Sequence, residues 1–422
     1  MEFSFTPEEE AFRVELRAFI NEELPAWWRG MFVDDERAFA ETRRFCRKLA
    51  ARGWLTMAWP REFGGQEASV WKQAVLREEM WAHDEPRGPQ YMNLNYIGPC
   101  IMRFGTAAQK ARFLPPMAAG DVIWTQGFSE PGAGSDLASL TARAEDRGDH
   151  FVVTGQKTWN SYADAPADWC FLLVRTDQSA ARHAGLSVLL VDMRTPGITV
   201  RPIGTMAGPH EFAEIFLDDV VVPRDCLLGE KNQGWTVATT GLTFERVGIA
   251  RYARAGHVIE QLVHHVREAG LAGETDIRQK LADLRVRYEA AKLLSYRAIS
   301  LQAREPEVRR TGAAQESQAA GTIQEERGAG DIASVAASIA RLHNTQLEQL
   351  VGHVGLEILG LAGQLTHDDP QAPLGGLVWR QWVRNIPTTI AAGTLEIQKN
   401  IIAHRGLGLP HDGRASSARR GS

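Results

Sequence analysis

The strongest constraint on this 422-residue chain is a double change of period. Between His150 and Pro223 lie five short β-rich runs, HFVVTGQKTW, DWCFLLVRT, GLSVLLVDM, GITVRPIG and AEIFLDDVVVP, separated by Gly, Asp and Pro with no helical pattern between them. Parallel βαβ units need a crossover helix between strands, so this spacing predicts an antiparallel sheet or a small barrel instead. On either side the period is helical. FTPEEEAFRVELRAFI opens with Thr6 as N-cap, Pro7 at the first helical position and three glutamates in the first turn, each of which favours a helix start. Helical spacing runs to about residue 118, broken by WPREFGG and DEPRGPQ, and resumes after GEKNQGW to about residue 405. The expected fold is therefore α+β and multidomain: an N-terminal helical domain over 1–121, a middle β domain (β-barrel or antiparallel sheet) over 122–235, and a C-terminal helical bundle over 236–410.

Within the last of these, residues 303–331 are rich in Gly, Ala, Gln, Glu and Arg and poor in large apolar side chains. Such a segment buries too little surface to order itself and reads as a mobile insertion, and the tail 411–422 reads as disordered. A net charge of −5 leaves no cationic excess to neutralise a phosphate backbone, which excludes a general nucleic-acid binder. Cys46, Cys100, Cys170 and Cys226 lack metal-ligand or CxxC spacing and are expected to be buried small hydrophobes in a reducing compartment, with no metal site. The acidic, amphipathic start is unlike a signal or transit peptide, and no run reaches the length of a membrane span, so the cytoplasm is the expected location.

The Gly-rich stretch GFSEPGAGSDLASL, residues 127–140, invites a dinucleotide reading, but the third glycine of GxGxxG falls on Leu137 and no strand-loop-helix frame surrounds it. Beside its backbone amides stand Ser129, Ser135 and Asp136, and GQKTWNSY follows from residue 155. Taken with WPREFGG, FGTAAQKARFLPPMAAGD, DWCFLLVRTD, FLDDVVVPRDCLLGEKNQGW, LTFERVGIAR and GTLEIQKNIIAHRGLGLP, these motifs, in this order, resemble the acyl-CoA dehydrogenase family over nearly the whole chain. The resemblance implies FAD as cofactor, with Phe128, Ser129, Gly134 and Ser135 running along the flavin ring and Trp159, Asn160 and Ser161 covering it. A tryptophan among small polar residues at a strand end suits stacking on a flat ring, although a core tryptophan would explain Trp159 alone. It also implies that Thr394 and Glu396 lie towards the FAD adenine, where a helix N-cap is the plainer reading of the same residues. The family's RxxFG segment, which reaches the pyrophosphate of the neighbouring subunit's FAD, has no clear counterpart, and Arg278 and Gln279 of GETDIRQKLAD are the nearest transfer for that contact.

The implied reaction removes a proton beside a thioester carbonyl while hydride leaves the next carbon, so it needs a carboxylate base and donors to the carbonyl. Many relatives place that base two residues before the Thr of EGT, where this chain has Ala392. Alanine takes no proton, but its backbone N–H keeps the family's carbonyl-polarising role. The isovaleryl and long-chain types carry the glutamate on the helix after the β domain, which here is Glu245, with Arg246 beside it as an ordering residue for the active-site loop. On a helix, Gly241, Leu242, Gly248 and Ile249 surround Glu245 without a basic partner, on an apolar stripe with Val237 and Tyr252, and burial there raises a carboxylate pKa. Further implied are electron transfer to an electron-transfer flavoprotein and assembly as a homotetramer or hetero-oligomer. The rival readings are a non-catalytic subunit of a hetero-oligomer and other flavin chemistry, such as hydroxylation or desulfination, on the same scaffold.

Overall fold

The computed structural model describes residues 5–30, 35–164, 167–248, 250–303 and 322–410, with the side chains of 209, 210, 242–248, 302, 303 and 322–331 outside that description. It divides into two compact units, one spanning Pro7–Gly248 and the other the described residues from Ala250 onward together with Phe5 and Thr6.

In the first unit the helix started by Pro7 and its acidic turn is α1 (Pro7–Glu23), which buries Phe12, Leu16, Phe19 and Ile20 at helical spacing. α2 (Arg37–Ala51), α3 (Val70–Ala82), α4 (Gln90–Met92), α5 (Gly98–Phe104) and α6 (Ala107–Ala118) follow, α6 from a capping box between Thr106 and Gln109. A π-helical turn, Asn93–Ile97, separates α4 from α5. From it the Asn93 amide donates to the Val122 carbonyl at 2.9 Å and accepts from the Trp124 N–H at 3.2 Å, tying the helices to the first strand.

The strands are β1 (Trp124–Gly127), β2 (Arg143–Asp146), β3 (His150–Ser161), β4 (Trp169–Arg175), β5 (Leu186–Asp192), β6 (Ile198–Thr205), β7 (Gly208–Pro223) and β8 (Leu227–Leu228). They form one sheet in the order β6-β7-β3-β2-β4-β5-β8, with β1 parallel to β4 and most other pairs antiparallel. The sheet is open and not the barrel that the sequence allowed. Its path ends at β6 on one side and at β8 on the other, and β8 offers two residues, too few to close a barrel. The unbroken apolar runs of β4 and β5 are buried on both faces, whereas β6 alternates as an edge strand does.

The first unit closes with α7 (Gly234–Gly248), whose N-terminus is seated on the sheet. Asn232, at φ +70°, accepts from the Thr176 hydroxyl at 2.6 Å and donates its N–H to Ser187 Oγ at 2.8 Å. A Cβ on Gly234 would stand 2.5 Å from Ser187 Cα, so only glycine allows this approach. Asp146 anchors the same turn: hydrogen bonds from Lys231 and from the Gly148 N–H hold its carboxyl down to about 2.

The second unit is helical: α8 (Arg251–Glu268), α9 (Thr275–Ala303), α10 (Thr322–Leu359), α11 (Leu377–Asn385) and α12 (Leu395–Ile401). Of the expected insertion, residues 304–321 lie outside the described residues, as does the tail 411–422. Residues 322–331, which the sequence places in that insertion, are the first turns of α10. Arg254 of α8 and Glu348 of α10 form a buried ion pair, joined by Arg251 at 3.0 Å and by the Asn385 side chain. The aromatic side chains of Phe5, Tyr252 and Tyr288 gather around Tyr296 and each other. Tyr252 is buried as expected, but not on the stripe of Glu245: α7 ends at Gly248 and Ala250 leaves helical geometry at ψ 53°, so Tyr252 belongs to the next helix.

Candidate functional site

Two structures carry the residues singled out by sequence, one in each unit. The first is the turn 127–141 together with the end of β3. Phe128 turns its ring inward against Tyr96 and Phe171, with centroids 6.1 and 6.0 Å away, and fixes the start of the turn. Glu130 then closes the turn on itself: its carboxylate accepts from the Thr141 N–H at 2.7 Å, the Thr141 hydroxyl and the Ala142 N–H at 2.8 Å. The fully buried Lys157 of β3 reaches the same carboxylate at 2.8 Å and the Phe128 carbonyl at 3.2 Å. Burial pushes the Lys157 ammonium below the usual lysine value against the pull of Glu130. Burial also opposes the charge of Glu130, but Lys157 and the two N–H groups outweigh it and hold the carboxyl below its usual range.

Beyond Lys157 the Thr158 N–H donates to the Ser129 carbonyl at 2.9 Å, so the strand end and the turn run side by side. The register of β3 against β7 shifts between Lys157 and Asn160, and within that irregularity Trp159 takes φ +60°. A bulge re-aims the side chain it carries. Trp159 is 58% exposed, its ring T-shaped to that of Phe212 with centroids 5.9 Å apart, so the core-tryptophan explanation fails. Asn160 next to it is buried and donates to the Ala213 carbonyl at 3.0 Å, while its Oδ1 has no partner among the described residues. The Ser161 carbonyl accepts from the Thr125 hydroxyl at 2.9 Å. Ser129 is half-buried, and Gly134 and Ser135 are exposed.

Glu245 and Arg246 lie on α7, but their side chains are outside those described. The helix itself is pressed against the π-helical turn and α5: a Cβ on Gly241 would stand 2.4 Å from the Tyr96 ring, the Tyr96 hydroxyl donates to the Ala238 carbonyl at 3.4 Å, and Val237 and Ala238 are buried.

The second structure is the loop 386–394, carried between α11 and α12. Ala392 is exposed at φ +50° and Gly393 follows at φ +91°. The loop is held by side-chain donors from α10 and α12 onto carbonyl groups in it and at its base. Gln349 of α10 donates to the carbonyls of Asn385 at 3.1 Å and Ile386 at 3.0 Å, the buried Arg341 of α10 donates to the Ala391 carbonyl, and Gln398 of α12 donates to the Gly393 carbonyl at 3.2 Å. Thr394 caps α12, accepting from the Ile397 N–H at 3.2 Å. The carboxyl of Glu396 is held below its usual range by its own backbone N–H and by the Thr394 hydroxyl. Arg278 and Gln279 are exposed on the first turn of α9.

The acyl-CoA dehydrogenase N-terminal, middle and C-terminal domain families match residues 6–121, 125–220 and 232–407. Acyl-CoA dehydrogenase IpdE1 of Mycobacterium tuberculosis is 33% identical over 96% of this chain and 98% of its own length. The chain belongs to the acyl-CoA dehydrogenase family. Among solved structures, the Tcur3481-Tcur3483 steroid ACAD is 30% identical with a TM-score of 0.84, covering 97% of this chain and all of that one. The ChsE4-ChsE5 complex from M. tuberculosis is 32% identical with a TM-score of 0.81, again over 97% of this chain and 100% of that one. Acyl-CoA dehydrogenases are FAD-dependent oxidoreductases acting on CH–CH bonds, and this chain is one of them.

The first site fits such a cofactor on its own geometry. No atom lies within 4 Å of where a Cβ would stand on Gly132 or Gly134, so the backbone edge of the turn is open. Beside it the turn offers Ser129 and Ser135, the exposed side chain of Trp159 and the orphaned Asn160 oxygen. No cluster of three or more His, Cys, Asp or Glu that could hold a metal occurs among the described residues, nor is any described helix long and apolar enough to cross a membrane. Sequence reasoning missed the supports: Lys157, Glu130, Arg341 and Gln398. Lys157 was findable, because strand alternation puts it in phase with the buried Phe151 and Val153, and a lysine facing a core demands a carboxylate. No comparable signal marks Arg341 or Gln398.

Proposed function

We propose that this chain oxidises an acyl-CoA thioester to the 2-enoyl-CoA with Glu245 as the base that takes the α-proton, while the Ala392 N–H receives the thioester carbonyl. The observation that carries the reading is the state of the loop: at the position where many relatives hold the base, Ala392 offers a backbone N–H and no carboxylate. The proton then needs another acceptor, and position 245 follows Gly241, the glycine packed on Tyr96, by one helical turn. Arg246 orders the surrounding loop in this reading. Trp159, Asn160, Ser161, Ser129, Gly134 and Ser135, with the backbone at Phe128, hold the flavin, which when bound accepts the hydride. Arg278 and Gln279 reach the pyrophosphate of the neighbouring subunit's FAD in this reading, and Thr394 and Glu396 lie towards the FAD adenine. The three-part division at residues 121 and 235 describes the chain in these terms, with electrons passing to an electron-transfer flavoprotein in the cytoplasm.

We further propose assembly with a second, related chain, because two of the solved structures most like this one are named for two components each. The first of those names also makes a CoA thioester bearing a steroid side chain the first member of a substrate panel that continues through straight and branched acyl chains. Co-expression with the related chain followed by native mass measurement tests the assembly, and a stable homotetramer sinks the two-component form. Glu245→Gln is expected to keep FAD and acyl-CoA binding while lowering the rate of anaerobic flavin bleaching by about two to four powers of ten. A variant that bleaches as fast as the parent removes Glu245 as the base and promotes the non-catalytic or alternative-chemistry reading.

A further inference from the structure

The loop that carries Ala392 is held from behind in a way that bears on its donor strength. All peptides described are trans, so the Ala391 carbonyl and the Ala392 N–H, which belong to one peptide unit, point in opposite directions. The carbonyl points to the guanidinium of Arg341, which is 6% exposed on α10. Its N–H has no protein acceptor among the described residues, and Ala392 itself is exposed. The neighbouring peptides are turned otherwise: the Ile390 and Ala391 N–H groups both return to the Pro387 carbonyl at 2.9 Å, and the Gly393 carbonyl is taken by Gln398.

We propose that Arg341 is a positioning residue for catalysis, acting through the Ala391–Ala392 peptide to aim and polarise the Ala392 N–H. A cation hydrogen-bonded to a peptide oxygen draws electron density towards that oxygen and strengthens the partial C=N character of the unit. The N–H at the far end becomes a stronger donor, an instance of cooperativity along a hydrogen-bond chain. A charge-assisted bond is also stronger than a neutral one and stays put, so the N–H is oriented before any ligand arrives. The left-handed backbone of Ala392, a conformation that disfavours any side chain, persists because Arg341 and Gln398 hold the carbonyls on both sides of it. Other residues could fix the loop's position; a buried cation on this one carbonyl also alters the electronics of the N–H opposite.

The inference rests on the reading that the Ala392 N–H receives a thioester carbonyl, and the test separates the two. The FAD-loaded protein is mixed with the 2-enoyl-CoA product of the fastest CoA thioester of the panel above, which is not dehydrogenated further at this bond, labelled with 13C at the thioester carbon, and the carbonyl stretch is read by isotope-edited infrared difference spectroscopy. In the parent the stretch is expected below its value in water. A parent that leaves it unshifted overturns the carbonyl reading and this inference with it. Arg341→Met is expected to lose most of the shift and about tenfold in kcat, with FAD content retained and KM changed less. A parent-like shift in Arg341→Met overturns the inference while leaving the carbonyl reading intact. Should Arg341→Met fail to fold, Arg341→Gln keeps a neutral hydrogen bond to the Ala391 carbonyl and is expected to hold the loop with a reduced shift. A full parental shift from Arg341→Gln refutes the role of the charge.

Discussion

The turn 127–141 with the end of β3 and the loop 386–394 solve one problem by opposite means. Each holds a residue at positive φ at the surface, Trp159 in one and Ala392 in the other. In the first, the support is a pair of buried opposite charges, Lys157 and Glu130, and what it presents is a side chain. In the second, the supports are side-chain donors placed on backbone carbonyls, and what they present is a peptide N–H. The difference matters for tolerance to change. A side-chain platform needs its residue type, whereas a backbone donor survives a change of side chain, which is how an alanine can stand at 392 within a working loop.

Lys157→Met leaves the Glu130 carboxylate buried without its cation and is expected to cost about 3 kcal/mol in urea unfolding, near the lower end for breaking a buried pair because three other donors remain. A cost under about 1 kcal/mol would mean that the charge pair does not hold the turn. Next in size is the acid response. The folded-state pKa of Glu130 lies below its unfolded value, so its contribution is complete above the unfolded pKa and is lost as pH falls through the folded one. Glu130→Gln is therefore expected to be less stable at neutral pH by about 1–2 kcal/mol and to show a shallower loss of stability as pH falls through and below the usual carboxylate range. Parallel acid limbs for parent and variant would show that folding does not lower the pKa of Glu130. Smallest is Ala392→Gly, which relieves the left-handed strain at the price of backbone entropy and is expected to raise stability by at most about 1 kcal/mol. A loss of that size instead would place Ala392 outside the strained conformation in solution.

The two regions also differ in how far a sequence discloses them. The order of helices, strands and helices was legible because period and punctuation differ sharply between the parts: Pro7 and its acidic turn start α1, and the FLLV and VLLV runs become doubly buried strands. Trp159, Ser129 and Ser135 were legible as candidates because their side chains have the chemistry a flavin needs. The exposure of Trp159 was not legible, since it depends on a register shift between β3 and β7 that couples residues about fifty positions apart. The open sheet was hidden for a related reason, because alternation reports which face a residue takes and not whether the two edge strands meet. Ala392 pointed to a missing carboxylate, but its support by Arg341 is a side-chain-to-carbonyl bond across 50 positions that leaves no pattern in composition or spacing.

All four cysteines are buried and free, and burial pushes the thiols of Cys100 and Cys170 up to about 12 and that of Cys226 to about 11. At neutral pH a thiol of pKa 12 is ionised about once in 10⁵ molecules, and the thiolate is the form that peroxides and electrophiles attack. A flavoenzyme whose reduced cofactor meets oxygen generates such oxidants at its own surface. Its thiols are placed so that this by-product finds almost no thiolate to react with.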